Sequence, residues 1–120
     1  MNINIKTSNI SLTEAISDYT SKRLESVKQL LASDPTVKCD VELGRTTTHH
    51  KSGDIFRAEI HITGKDKDLY ASAEEADLYK AIDVVRDEIL REIRSEKGKK
   101  LSLLRRGGAK IKNMIRGLAN

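Results

Sequence analysis

The sequence predicts an α+β domain in the order β-α-β-β-β-α, a four-stranded sheet with two helices packed on one face. Three observations carry that prediction. The 120 residues suit a single hydrophobic core. Four short segments alternate apolar and polar residues, the period of a half-buried strand, and two longer ones repeat apolar residues at three- to five-residue steps, the period of an amphipathic helix. One sheet face covered by both helices buries all of these stripes together. No internal repeat interrupts the pattern.

Strand one is predicted over Asn2 to Thr7, with Ile3 and Ile5 on one side and Asn4 and Lys6 on the other. Ser11-Leu12-Thr13-Glu14 has the form of a capping box, which starts a helix by satisfying free backbone amides. Leu12, Ile16, Tyr19, Leu24, Val27 and Leu31 give that helix one apolar stripe from Leu12 to about Leu31. Ser33-Asp34-Pro35 ends it, because proline has no amide to donate and biases Asp34 away from helical angles. Val37, Cys39, Val41 and Leu43 alternate with Lys38, Asp40 and Glu42 as strand two.

Residues 45–54, RTTTHHKSGD, read as a hairpin loop. Phe56, Ala58, Ile60 and Ile62 then define strand three, Gly64 to Asp68 a turn, and Leu69, Ala71 and Ala73 a short strand four. Loops of hairpin length make these three strands antiparallel. A second capping box, Ser72 to Glu75, is expected to open the second helix, whose buried stripe is Leu78, Ile82, Val85, Ile89 and Ile93. Lys80, Arg86, Arg91, Arg94 and Lys97 lie on its flank, with Asp83 and Asp87 interspersed. Gly98 is expected to end or loosen this helix, leaving Lys99 to Gly108 as a basic connector. Residues 1–100 thus form the domain. Residues 101–120 form a basic tail, whose Ile111, Met114, Ile115 and Leu118 suit a short amphipathic helix that orders on a partner.

Charge is distributed unevenly along this plan. Residues 1–90 hold 12 Lys/Arg against 16 Asp/Glu, and residues 91–120 hold 10 against 2. A block of fixed positive charge on an acidic body suits a polyanion; the alternatives are a solvated tail or docking on an anionic membrane, which a tail without Trp or Phe anchors weakly. Lys22 and Arg23 on the first helix and Arg86, Arg91, Arg94, Lys97, Lys99 and Lys100 on the second would share one surface if the helices pack side by side. Arg105 and Arg106 extend it into the tail. One Phe, three Tyr and no Trp argue against base stacking and for recognition of RNA shape and backbone.

Catalytic chemistry has no comparable support. The single Cys39 cannot form an internal disulfide, and His49, His50 and His61 lack metal-ligand spacing with it or with each other. No GxxxxGK[ST] or GxGxxG loop follows a strand, and no carboxylate or histidine cluster can be assembled. The expectation is a non-enzymatic chain without metal or cofactor. No signal peptide begins it, and no window approaches the roughly 18 apolar residues of a membrane span, so a soluble cytoplasmic protein is expected.

The segments NISLTEAISDYTSKRLESV and RAEIHITGKDKDLYASAEEADLYKAIDVVRDEILREIRSEKGKK resemble the ribosome hibernation promoting factor and ribosome-associated inhibitor family over roughly residues 1–100. The most specific stretch is LYASAEEADLYKAID before a basic helix, with Leu78 where the family usually has Met and Lys80 where it often has Ala. The resemblance implies a double-stranded-RNA-binding-domain-like fold and a bacterial, cytoplasmic stress-response factor. It implies binding to the small ribosomal subunit and its rRNA, alone or in the whole ribosome, in the channel of mRNA and of A- and P-site tRNA. Translation would be blocked by occupancy. DNA and membranes are not implied partners, and the free protein is expected to be monomeric. Lys22 and Arg23 match the family's basic pair on the first helix; Arg86, Arg91, Arg94, Lys97, Lys99 and Lys100 match its second helix less closely. Ser26 stands where a further lysine is common. Residues 101–120 are expected to be too few for the ribosome-pairing domain of the long family form, and they lack the acidic end of some short inhibitors.

Overall fold

A computed structural model describes residues 1–46 and 53–105, the last nine of these as helical backbone. The elements are β1 (Asn2–Ser8), α1 (Glu14–Arg23), α2 (Glu25–Leu30), β2 (Lys38–Thr46), β3 (Ile55–Gly64), β4 (Lys67–Glu75) and α3 (Leu78–Arg105). The sheet runs β1-β2-β3-β4. The two hairpins make β2, β3 and β4 antiparallel, with Val41 opposite Ile60 and Ile60 opposite Ala71. Since the chain crosses through α1 and α2 before returning, β1 pairs parallel to β2, with Ile3 beside Cys39 and Ile5 beside Val41.

Strict alternation places Cys39, Val41, Leu43, Ala58, Ile60, Ile62, Leu69, Ala71 and Ala73 on one face, all buried. Leu24, Val27, Leu31, Leu78, Ile82, Val85, Ile89 and Ile93 cover it from the helices. Each buried Leu or Ile stabilises the fold by about 1.5–3 kcal/mol relative to exposure. Alanine at 58, 71 and 73 leaves room for α3 to lie along β3 and β4.

Four local expectations are corrected. Thr13, not Ser11, caps α1: its hydroxyl accepts from the Ile16 amide at 3.2 Å, which leaves Glu14 in the first turn, where the helix dipole favours it. The helix expected to run to Leu31 breaks at Leu24, whose ψ is 0°. One turn earlier the buried Thr20 hydroxyl donates to the Ile16 carbonyl at 2.8 Å, a back-bond that bends helices. The bend lets Leu24 and Val27 both reach zero exposure.

Ser72 and Glu75 belong to β4, not to a helix cap, because the alternation through Ala71 and Ala73 continues the strand. Asp77 caps α3 instead, its carboxylate accepting from the Tyr79 amide at 3.0 Å. Gly98 lies inside α3, which continues to Arg105. Its cost of about 1 kcal/mol in a helix is opposed by good helix formers on both sides, Glu96, Lys97, Lys99 and Lys100. The boundary expected at residue 100 therefore falls within a helix. His49, His50, Arg106 and the rest of the tail lie outside the described residues.

The turn after α2 matches its residues closely. Asp34 accepts from the Thr36 hydroxyl at 2.6 Å and the Thr36 amide at 2.9 Å, and these bonds hold its carboxyl below the usual range.

Candidate nucleic-acid interface

At 28 residues α3 is about 42 Å long, more than the sheet can cover. It runs back along β4, so that Glu96 comes beside Lys67 at the start of that strand, an ion pair at 3.8 Å. Ile93 is buried, and Ser95 and Glu96 beyond it are not. Residues 97–105 thus extend past the strand as helix, and in sequence they are KGKKLSLLR, four cations with no acid. Lys97, Lys99, Lys100 and Arg105 stand on this overhang.

The body of α3 treats its charges differently. Arg86 contacts Asp87 through Nε and Nη2 at 3.0 and 2.9 Å, and Arg91 contacts Glu88 at 2.8 Å. Arg94 is exposed and has no ion pair with another described residue. Arg86 and Arg91, five residues apart, stand about 140° apart around the helix. The structure therefore does not gather all the predicted cations on one stripe.

On α1, Lys22 is exposed and forms no ion pair with another described residue, whereas Arg23 is tied into a cluster. Its Nε lies 3.1 Å from Asp83 Oδ1, and its guanidinium lies over the Tyr19 ring, 5.0 Å from the centroid. The Tyr19 hydroxyl reaches both oxygens of Asp83, at 2.9 and 3.0 Å. Tyr79 meets Tyr19 edge to face at 4.8 Å. The Tyr19 hydroxyl foremost, then the Asp83 charge, pushes the Arg23 pKa above its ordinary value. This cluster joins α1 to α3 and brings Arg23 and Lys22 beside the helix that carries the overhang.

Sequence reasoning placed Arg23 on the interface but missed Tyr19, Asp83 and Tyr79 as its neighbours. In sequence Tyr19 reads as part of the apolar stripe of the first helix and Asp83 as an acid interspersed among the cations of the second. Asp77, Tyr79 and Asp83 all lie in the DLYKAID stretch, where the first caps the helix and the other two build the cluster.

The uncovered sheet face is a network of its own. Arg57 contacts Glu59 at 2.6 Å through Nε, close but not aligned as a hydrogen bond, and Glu74 at 3.3 Å. His61 lies 2.6 Å from Asp68. Burial raises Cys39 to about 11, so it is a neutral thiol at pH 7. No three His, Cys, Asp or Glu among the described residues stand together to hold a metal ion, and no helix of those residues is long and apolar enough to cross a membrane.

Fold and site define a class: a small α+β domain whose helical layer carries a cationic helix end. Residues 3–101 match the family described as Sigma 54 modulation protein / S30EA ribosomal protein, and the chain belongs to that family. It is similar to a ribosome hibernation promotion factor of Picosynechococcus, 31% identical over 99 residues, 82% of this chain and 50% of the relative. The chain thus spans half the length of that protein. It is also similar to the ribosome hibernation promoting factor of Escherichia coli, 28% identical over 82% of this chain and 96% of that one. Among solved structures it resembles the N-terminal domain of Thermus thermophilus Protein Y, with a TM-score of 0.63 and 28% identity over 79% of this chain and 98% of the other.

Proposed function

We propose that this chain is a ribosome hibernation factor that binds the small ribosomal subunit through its rRNA and silences idle ribosomes by occupancy, without catalysis. The observation that carries this reading is the α3 overhang, an all-cationic helix end on a chain whose relatives are hibernation factors. Phosphate contacts need charge at suitable spacing and give salt-dependent affinity. A backbone already ordered as helix lowers the ordering cost of presenting that charge.

In this reading the overhang and Lys22 face the rRNA of the channel between head and body, where mRNA and the A- and P-site tRNAs lie. Arg106 and the rest of the tail add phosphate contacts along the same path. The partners are the small subunit and the whole ribosome, in the cytoplasm of a bacterium. The test is sedimentation of the purified chain with ribosomal subunits through sucrose gradients at low and high salt, combined with translation in vitro. Co-migration with small subunits at low salt, release at high salt and inhibited translation are expected. Absence from small-subunit fractions at low salt would defeat the proposal.

A further inference from the structure

Asp83 is out of place on a surface meant for a polyanion. It sits between Arg23 and the basic flank of α3, with about a third of its side chain exposed, where its charge opposes an approaching phosphate. Yet three residues converge on it or on its partners. Tyr19 fixes its carboxylate by the hydroxyl contacts at 2.9 and 3.0 Å, Tyr79 holds the Tyr19 ring edge-on, and Asp83 in turn takes Arg23 Nε at 3.1 Å.

The consequence lies in how Arg23 is held. The Arg23–Asp83 ion pair brings Nε within 3.1 Å of Oδ1. The guanidinium carbon lies over the Tyr19 ring, 5.0 Å from its centroid, and 42% of the Arg23 side chain stays exposed. A guanidinium held beside a carboxylate and over a ring is restricted in orientation, and its exposed part can meet a phosphate, which arginine takes through two parallel hydrogen bonds.

We propose that Asp83 and Tyr19 are positioning residues that pre-orient Arg23 for an RNA backbone phosphate. This deepens, and rests on, the reading of the chain as an rRNA binder. The idea opposes simple charge counting, since Asp83→Asn removes a negative charge beside the RNA and charge alone would tighten binding. If Asp83 orders Arg23, the same substitution weakens it by about two- to tenfold, the range set by the entropy of ordering one flexible side chain.

The experiment is a double-mutant cycle on the full chain, with purified small ribosomal subunits as the probe and affinity read across a salt series. Wild type, R23A, D83N and R23A/D83N are compared, with thermal unfolding of each followed by circular dichroism. R23A and D83N should each weaken binding, R23A also lowering the slope of log affinity against log salt by about one. On the R23A background, D83N should cause no further loss, because nothing remains to position. A purely structural role for Asp83 would instead give the same loss on both backgrounds, which overturns the proposal; so does D83N binding as tightly as wild type or tighter.

Should D83N fail to fold, Tyr19→Phe decides, because it keeps the ring and the charge and removes only the hydroxyl. A loss seen with Arg23 present and absent from the R23A background supports the proposal, and unchanged binding overturns it. Failure of the wild type to bind small subunits at low salt defeats the functional reading itself, and this inference with it.

Discussion

The two ends of α3 use the same kinds of residue for different purposes. Over residues 78–96 the helix lies on the sheet, and two of its three arginines meet acids, Arg86 with Asp87 and Arg91 with Glu88. Over residues 97–105 it extends beyond β4 and carries cations alone. Exposed pairs of the first kind contribute little to stability, roughly 0–1 kcal/mol each, but they cancel much of the local field. On the proposed reading, a count of basic residues overstates the binding surface of the body and understates the importance of the overhang.

Removing the overhang's charge should break the comparison most severely. Replacing Lys97, Lys99, Lys100 and Arg105 with Gln is expected to weaken binding to small subunits about 100-fold at moderate salt, since four phosphate contacts are lost together. Filter binding measures it, and a loss below about threefold would place the main contacts elsewhere. Truncation after Lys100 should cost about tenfold and flatten the salt dependence, because it removes Arg105 and the four cations beyond it. Unchanged affinity across salt would show that the tail does not touch rRNA.

A smaller effect concerns the body. Asp77→Ala removes the cap of α3 and should lower unfolding stability by about 1 kcal/mol in urea titration. Its effect on ribosome affinity should be slight, because the cap is at the far end of the helix from the overhang. The smallest effect should come from Arg91→Gln, below about twofold in affinity, since its charge is already met by Glu88. A tenfold loss from Arg91→Gln would erase the distinction between the two regions.

What was legible in the sequence follows the same division. The strands were readable because alternation at period two is a local property, and Ile3, Val41, Ile60 and Ala71 all fall on the predicted face. Helix ends were less so. The break at Leu24 depends on a Thr20 back-bond within a turn, and the continuation through Gly98 depends on its neighbours outweighing one glycine. For the site, charge was legible but its pairing was not. Tyr19 and Asp83 are 64 residues apart, and no spacing rule brings them together before the two helices pack.

The central claim is that the overhang of α3, rather than the basic residues along its body, grips ribosomal RNA. Its most direct test is the slope of log affinity against log salt for small subunits, compared between wild type, the Lys97/Lys99/Lys100/Arg105→Gln variant and an Arg86/Arg91→Gln variant. The overhang variant should lose about three to four units of slope and the body variant less than one. Equal losses in the two variants, or a wild-type slope retained by the overhang variant, would contradict it.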